Sequence, residues 1–426
     1  MPAISPFRAL CYAPHLRGGM DRLVAPPYDV LTEDQRQSLG DRHPNNVVHL
    51  DLPRPPQGED PYEAAAGLLE RWVHDGLLVR DTRPAFYACE QHYRDPSGRE
   101  ATRRGFFARL TLEPFASGSV IPHERTLDRP RADRQRLLAA TRTHLSAVFL
   151  LHPDPGGEVA RLVRGALGAD RFAEARDDDG TLSRVVRLDD PERAAFLADR
   201  LRAQWSLIAD GHHRYESALA YRDERRARGH RDAEHVLGFF CSLEDPGLAI
   251  LPIHRLVHSL PDFEPRRFEE RLAGMFRLTP IATPGTLRES LASRRGRPGV
   301  FGLALPDGRL VLAEWQEGAG LALPEMAQTP GPLRSLDVIL LHRLVLEGLL
   351  EITPEAQAGQ TNLDYVKDHR ELFERVAAGR AQMGILMNPT RIEQVIEVTR
   401  GGCRLPQKST YFYPKVLTGL VFDPLD

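Results

Sequence analysis

The run Trp205-Ser206-Leu207-Ile208-Ala209, followed at once by Asp210-Gly211 and then by His212-His213-Arg214-Tyr215-Glu216-Ser217-Ala218, constrains the chain more than any other stretch. A short apolar run bounded by turn chemistry predicts a buried strand, and the spacing from His212 to Arg226 predicts a helix starting directly behind the turn. The N–H groups at such a helix start point outward, carry partial positive charge and accommodate an anion. Arg214, in the first turn, is placed to close on a phosphate from the side. Asp210, at the strand end, is expected to hold a magnesium ion beside it. Of His212 and His213, one is expected to face the ligand and the other to pack or cap. An ordinary strand–turn–helix with a capping aspartate is the alternative that the residues leave open.

The chain around this turn has 426 residues, which suggests two or three domains. Proline and glycine, 34 of each, divide it into short elements. Strands are expected at Ala85–His92 and Thr102–Leu110 around the turn Asp95–Gly98, then at Val236–Cys241, Ala249–Val257, Val300–Leu305, Leu310–Trp315 and Gln382–Met387. Helices are expected at Arg134–His144, Asp190–Gln204, Phe263–Phe276, Ser335–Leu350, Asp368–Ala378 and Thr390–Arg400, with an amphipathic stretch at Tyr62–Leu77. Asp177-Asp178-Asp179-Gly180 reads as a solvated turn. The class is mixed α+β. Three regions are expected: residues 1–80 as an N-terminal α/β region, 81–260 as the core with the strand–turn–helix, and 261–426 as a C-terminal α/β domain.

Acidic and basic side chains, 59 and 56, nearly cancel at a net charge of −3, which gives no reason to expect nucleic acid or an anionic membrane as partner. No apolar run approaches the ~20 residues of a membrane helix. The N-terminus lacks the basic head and apolar stretch of a secretory signal, and the four cysteines form no CxxC pair. A cytoplasmic protein is expected.

Of the 56 basic residues only Lys367, Lys408 and Lys415 are lysine, and two of these lie in Gln407-Lys408-Ser409-Thr410-Tyr411-Phe412-Tyr413-Pro414-Lys415. A lysine ammonium is a compact point charge where arginine is a planar fork, so Lys408 with the Ser409 and Thr410 hydroxyls is a candidate clamp for phosphate or carboxylate. It is not a Walker A loop, whose glycines are absent, and no kinase-type HRD or DFG segment occurs. Pro122-His123-Glu124-Arg125-Thr126 offers a carboxylate on a stiffened backbone. Glu124 there is suited to take a proton from a hydroxyl, although, taken alone, this stretch reads more readily as a surface loop with solvated charges. Pro26-Pro27-Tyr28-Asp29 is a stiff segment whose Tyr28 and Asp29, with His123 and Thr126, are substrate-pocket candidates. Leu251–Arg255 and Leu336–His342 read as structural.

Three segments, Pro122-His123-Glu124, Asp210-Gly211-His212-His213-Arg214 and Pro406-Gln407-Lys408-Ser409-Thr410, resemble in this order the free-serine kinases of the ParB/sulfiredoxin-like fold. The whole chain, through its PPYDV, ADGHHRYE and PQKSTYFYPK segments, also looks like a large bacterial family of unknown function, DUF1015. The resemblance implies a ParB/sulfiredoxin-like core binding ATP or ADP at Asp210–Arg214 with Mg2+. It implies phosphoryl transfer to a free amino-acid hydroxyl, most readily L-serine, with Glu124 as base and Asp210 and His213 near the phosphates. Gly211, His212, Arg214, Lys408, Ser409 and Thr410 would contact nucleotide or phosphate. A nucleotide-binding regulatory protein, or a hydrolase without an acceptor, is the alternative.

Overall fold

The computed structural model describes residues 3–96, 98–124, 126 and 128–425. The chain divides into two compact units, the first comprising Met1–Pro122, Thr126–Ala249 and Pro414–Asp426, the second His123–Arg125 and Ile250–Tyr413. Both combine helices with sheets. Among the described residues no helix is long and apolar enough to cross a membrane.

The first unit is built on a nine-stranded mixed sheet. Its strands run, side by side, Val120–Pro122, Ser206–Asp210, Val148–His152, His235–Ser242, Glu100–Thr111, Phe86–Arg94, Leu182–Leu188 and Arg171–Arg176, with Ile4–Ser5 added along Glu100–Thr111. Alternation does the local work: Phe86, Ala88, Phe106, Ala108, Val148, Leu150, Ile208 and Phe240 are buried in one core with Leu138, Val163, Leu197, Leu201, Tyr215 and Ala218 from the helices. The helix Pro191–Arg202 starts where its Asp-Pro pair predicts, the Asp190 carboxylate accepting from the Arg193 N–H at 2.9 Å. The hairpin turn at Asp177–Thr181 likewise closes as expected, with Asp177 accepting from the Thr181 N–H at 2.8 Å.

The second unit holds a six-stranded sheet in the order Phe276–Ile281, Leu310–Trp315, Val300–Ala304, Met383–Met387, His254–Val257 and Leu363–Val366, all neighbours antiparallel. Leu287 and Leu291 from the helix Pro284–Ser293, and Leu372 and Val376 from His369–Ala377, complete a core with Leu256, Val300, Leu312 and Leu386.

Several boundaries differ from the sequence expectation for identifiable reasons. The helix expected at Arg134–His144 spans Asp128–Thr141, because Thr143–His144 instead pairs with Asp423–Pro424. The strand expected over Ala249–Val257 is two strands, Ala249–Leu251 and His254–Val257, since Pro252 has no N–H for a ladder. The helix expected over Ser335–Leu350 is a single α-turn, Asp337–Leu340, followed by a π-helix at Leu341–Glu347, in which Gly348 donates to the Arg343 carbonyl five residues back.

Candidate functional site

The strand Ser206–Asp210 lies between Val120–Pro122, which it pairs in parallel, and Val148–His152, which it pairs antiparallel. Its register against the latter shifts between Ile208 and Asp210, a bulge that re-aims the strand's last side chain. Gly211 then takes φ +88°, the left-handed region, and the helix His212–Ala227 begins. A Cβ on Gly211 would fall 2.8 Å from Arg214 Nε, so the guanidinium is folded back over the glycine at the helix start.

Arg214 Nη2 donates to Asp210 Oδ2 at 2.7 Å, and Lys415 Nζ donates to Asp210 Oδ1 at 2.7 Å. Arg214 also donates to the Ala147 carbonyl, while its buried Nε has no acceptor. Burial alone would raise the Asp210 pKa, but the charges of Lys415 and Arg214 outweigh it and hold the carboxyl well below the usual carboxylate range. Tyr28 and Asp29 from the proline-stiffened segment lie close enough to add to the field at Arg214. Burial, with Asp29 second, pushes the Tyr28 hydroxyl pKa up, so it is a neutral donor. Arg134 lies over the Tyr28 ring, 4.2 Å from its centroid, and donates to Asp51 Oδ1 at 2.9 Å. His212 is buried and His213 half-buried. Thr126 donates to Glu216 on the same helix.

Asp210 does not stand ready for magnesium. Both of its oxygens are bonded to cations, and among the described residues no group of three metal-ligating side chains forms. The described residues thus offer no preformed cluster that would hold a metal without a ligand's own oxygens.

In the second unit, Glu124 forms a parallel bridge with Leu405, and the Lys408 N–H donates to Glu124 Oε1 at 3.4 Å. Lys408 itself has φ +57°, a conformation that side chains adopt at a cost. The hydroxyls expected to join Lys408 in a clamp are engaged locally: Ser409 donates to the Pro406 carbonyl at 2.6 Å, and Thr410 Oγ1 lies 2.7 Å from His123 Nε2. Arg125 lies outside the described residues, as does the side chain of Asp128.

Residues 4–339 match the family model described as "Protein of unknown function (DUF1015)". The chain belongs to this family. The matched span takes in the Tyr28–Asp29, Glu124 and Asp210–Arg214 segments of this DUF1015 chain and ends before Lys408 and Lys415. No curated protein matches it significantly. Among solved structures it is similar to a conserved hypothetical protein from Pyrococcus furiosus, at 14% identity and TM-score 0.34 over 74% of this chain and 95% of that one. It is similar to a free serine kinase in complex with AMP, at 14% identity and TM-score 0.34 over 74% and 92%. It is also similar to SbnI with C-terminal truncation from Staphylococcus aureus, at 11% identity and TM-score 0.37 over 75% and 87%.

Sequence reasoning missed four residues. Lys415 was noticed only for its rarity, yet it is the lysine that meets Asp210. Asp51 and Arg134 could not be paired from the sequence, because nothing local marks partners separated by 83 positions. Arg255, read as structural, is a fully buried guanidinium without a carboxylate partner among the described residues, and the only pointer to it was an arginine, next to His254, in a mostly apolar run.

Proposed function

We propose that this protein is a phosphotransferase that binds ATP or ADP at the start of the helix His212–Ala227 and transfers phosphoryl to the hydroxyl of a free amino acid, L-serine first among them. One observation carries the reading. Arg214 lies over a glycine at a helix start with a buried Nε that lacks an acceptor, and Lys415 is held beside it on the same Asp210 carboxylate. That arrangement is a preorganised receptor for phosphate, and phosphoryl transfer asks chiefly for positioning and charge neutralisation. In this reading Asp210 holds the two cations in place, Arg214 and Lys415 neutralise phosphate oxygens with the amides of Gly211 and His212, and His213 offers a hydrogen bond beside them. A ParB/sulfiredoxin-like core is the fold that goes with this reading.

Glu124 is the proposed base. It stands two positions after Pro122, which pairs with Ile208 in the sheet of the first unit, and two before Thr126, which is bonded to Glu216. Tyr28, Asp29, His123 and Thr126 are the proposed surroundings of the acceptor.

The test is incubation of the protein with L-serine and ATP or ADP, with and without magnesium chloride, and mass spectrometry for O-phosphoserine. Product is expected with at least one nucleotide, and Glu124→Gln should abolish it while nucleotide binding persists. Absence of any phosphorylated product from serine, threonine and homoserine would overturn the assignment. Phosphate release without acceptor would instead indicate a hydrolase, and binding without turnover a regulatory protein.

A further inference from the structure

Inside the second unit a cavity of about 600 Å³ is bounded by the π-helix Leu341–Glu347, the loop Gln328–Pro330, Tyr365 and the segment Gly402–Lys408. That size is typical of a small-molecule site. Its wall contains Arg343, Arg404 and Lys408 against one acid, Glu347, and that acid is held by Arg343. Glu124 also meets this segment, accepting from the Lys408 N–H at 3.4 Å.

Directly behind this wall lies Arg255, 2% exposed. Its Nη2 donates to the Lys408 carbonyl at 3.1 Å and lies 3.3 Å from His342 Nε2, and its guanidinium is 5.4 Å from the centre of the Tyr365 ring. His342, Lys408 and Tyr365 all line the cavity. The remaining partners are the Ile253 carbonyl and Met387 Sδ, and Nε has none. Every acceptor is therefore neutral. His342 is neutral too, because burial and then the Arg255 charge hold its pKa well below the usual histidine value. Burial pushes Arg255 down to about 10, which leaves it charged at neutral pH. Buried charges are ordinarily paired, since an uncompensated one is costly. A guanidinium fixed by neutral acceptors, behind a cation-rich cavity and beside a π-helix of the kind that clusters at functional sites, keeps its charge available.

We infer that this cavity binds a small molecule through an oxyanion, a carboxylate or a phosphate, whose charge is met by Lys408 and Arg404 at the wall and by Arg255 behind it. The inference goes beyond phosphoryl transfer and needs no nucleotide; Lys408 is the one charged group of the wall that also figures in the sequence motifs.

The experiment is titration of the full chain, free of nucleotide, with inorganic phosphate and separately with succinate, read by calorimetry and by thermal unfolding, with sodium chloride at matched ionic strength as control. Saturable binding and a rise in Tm are expected with at least one of the two, and which one responds identifies the class of oxyanion. Arg404→Gln and Lys408→Gln, both on the cavity wall, should each weaken that response by roughly tenfold or more, the loss of one charge-assisted hydrogen bond. Arg255→Met should abolish it; should that variant fail to fold, the two wall variants carry the test. No saturable response to either anion, the same response to sodium chloride, or unchanged affinity in both wall variants would overturn the inference. Loss of serine phosphorylation alone would not touch it.

Discussion

Arg214 in the first unit and Arg255 in the second are both buried guanidiniums that bond to backbone carbonyls and leave Nε without an acceptor. They differ in the remaining partner. Arg214 meets the Asp210 carboxylate, which Lys415 also holds, whereas Arg255 meets only neutral atoms. The first arrangement is a network in which two cations share one bonded carboxylate, and its geometry depends on that carboxylate. The second is a charge held in place without being cancelled. Removing the acid from the first should therefore be far more damaging than altering the wall around the second.

Asp210→Asn is the largest. It leaves two cations facing each other in a buried site, and breaking a buried pair in this way costs about 3–5 kcal/mol, read as a lower urea midpoint. The pH dependence has a definite sign. The folded pKa of Asp210 lies below the ordinary carboxylate value, so the ionised group contributes stability above roughly pH 4 that is lost as pH falls through the folded value. The variant should lose that part of the acid limb of its stability profile. A variant that unfolds at the wild-type urea midpoint would mean that the network does not depend on that carboxylate as described.

Gly211→Ala comes next. The position has φ +88°, and the new Cβ would sit 2.8 Å from Arg214 Nε. Strain of this kind costs about 1–3 kcal/mol, and the guanidinium must leave its place over the helix start. Unfolding midpoints should drop accordingly, and binding of a fluorescent ATP analogue should fall with them. Full retention of nucleotide affinity would detach Arg214 from the phosphate role.

What could be read from the sequence divides along the same lines. The strand, the glycine turn and the helix at Trp205–Arg226 were legible because apolar runs, a glycine and helical spacing are local signals, and the structure forms Ser206–Asp210 and His212–Ala227 there. The scarcity of lysine drew notice to the tail, but not to the division of labour within it: Lys415 joins Asp210 in the first unit, while Lys408 lines the cavity of the second. Partners hundreds of positions apart leave no periodicity to detect. Asp210 was expected to stand open to a metal, and only the folded chain reveals the two cations already on its oxygens. The π-helix was equally hidden, because the apolar pattern of Leu336–Leu350 fits an α-helix as well, and the choice of a five-residue hydrogen bond is made by packing.

The smallest predicted effect has the opposite sign. Both sites contain a residue in the left-handed region, Gly211 in the first unit and Lys408, at φ +57°, in the second. A side chain there costs about 1–2 kcal/mol, while glycine costs about 0.5–1 kcal/mol in lost chain entropy. Lys408→Gly should therefore stabilise the protein by about 0.5 kcal/mol, taken as the difference between those two costs, while Lys408→Gln, which keeps the strain, should leave Tm unchanged. Both remove the ammonium, so both should weaken the response to phosphate or succinate to the same extent. Stability and binding would then move in opposite directions at one position, as expected of a strained residue retained for its charge. Glycine keeps the backbone bonds to Glu124 and Arg255, so a Tm lowered by Lys408→Gly would mean that the side chain's own contacts outweigh the strain of its left-handed backbone.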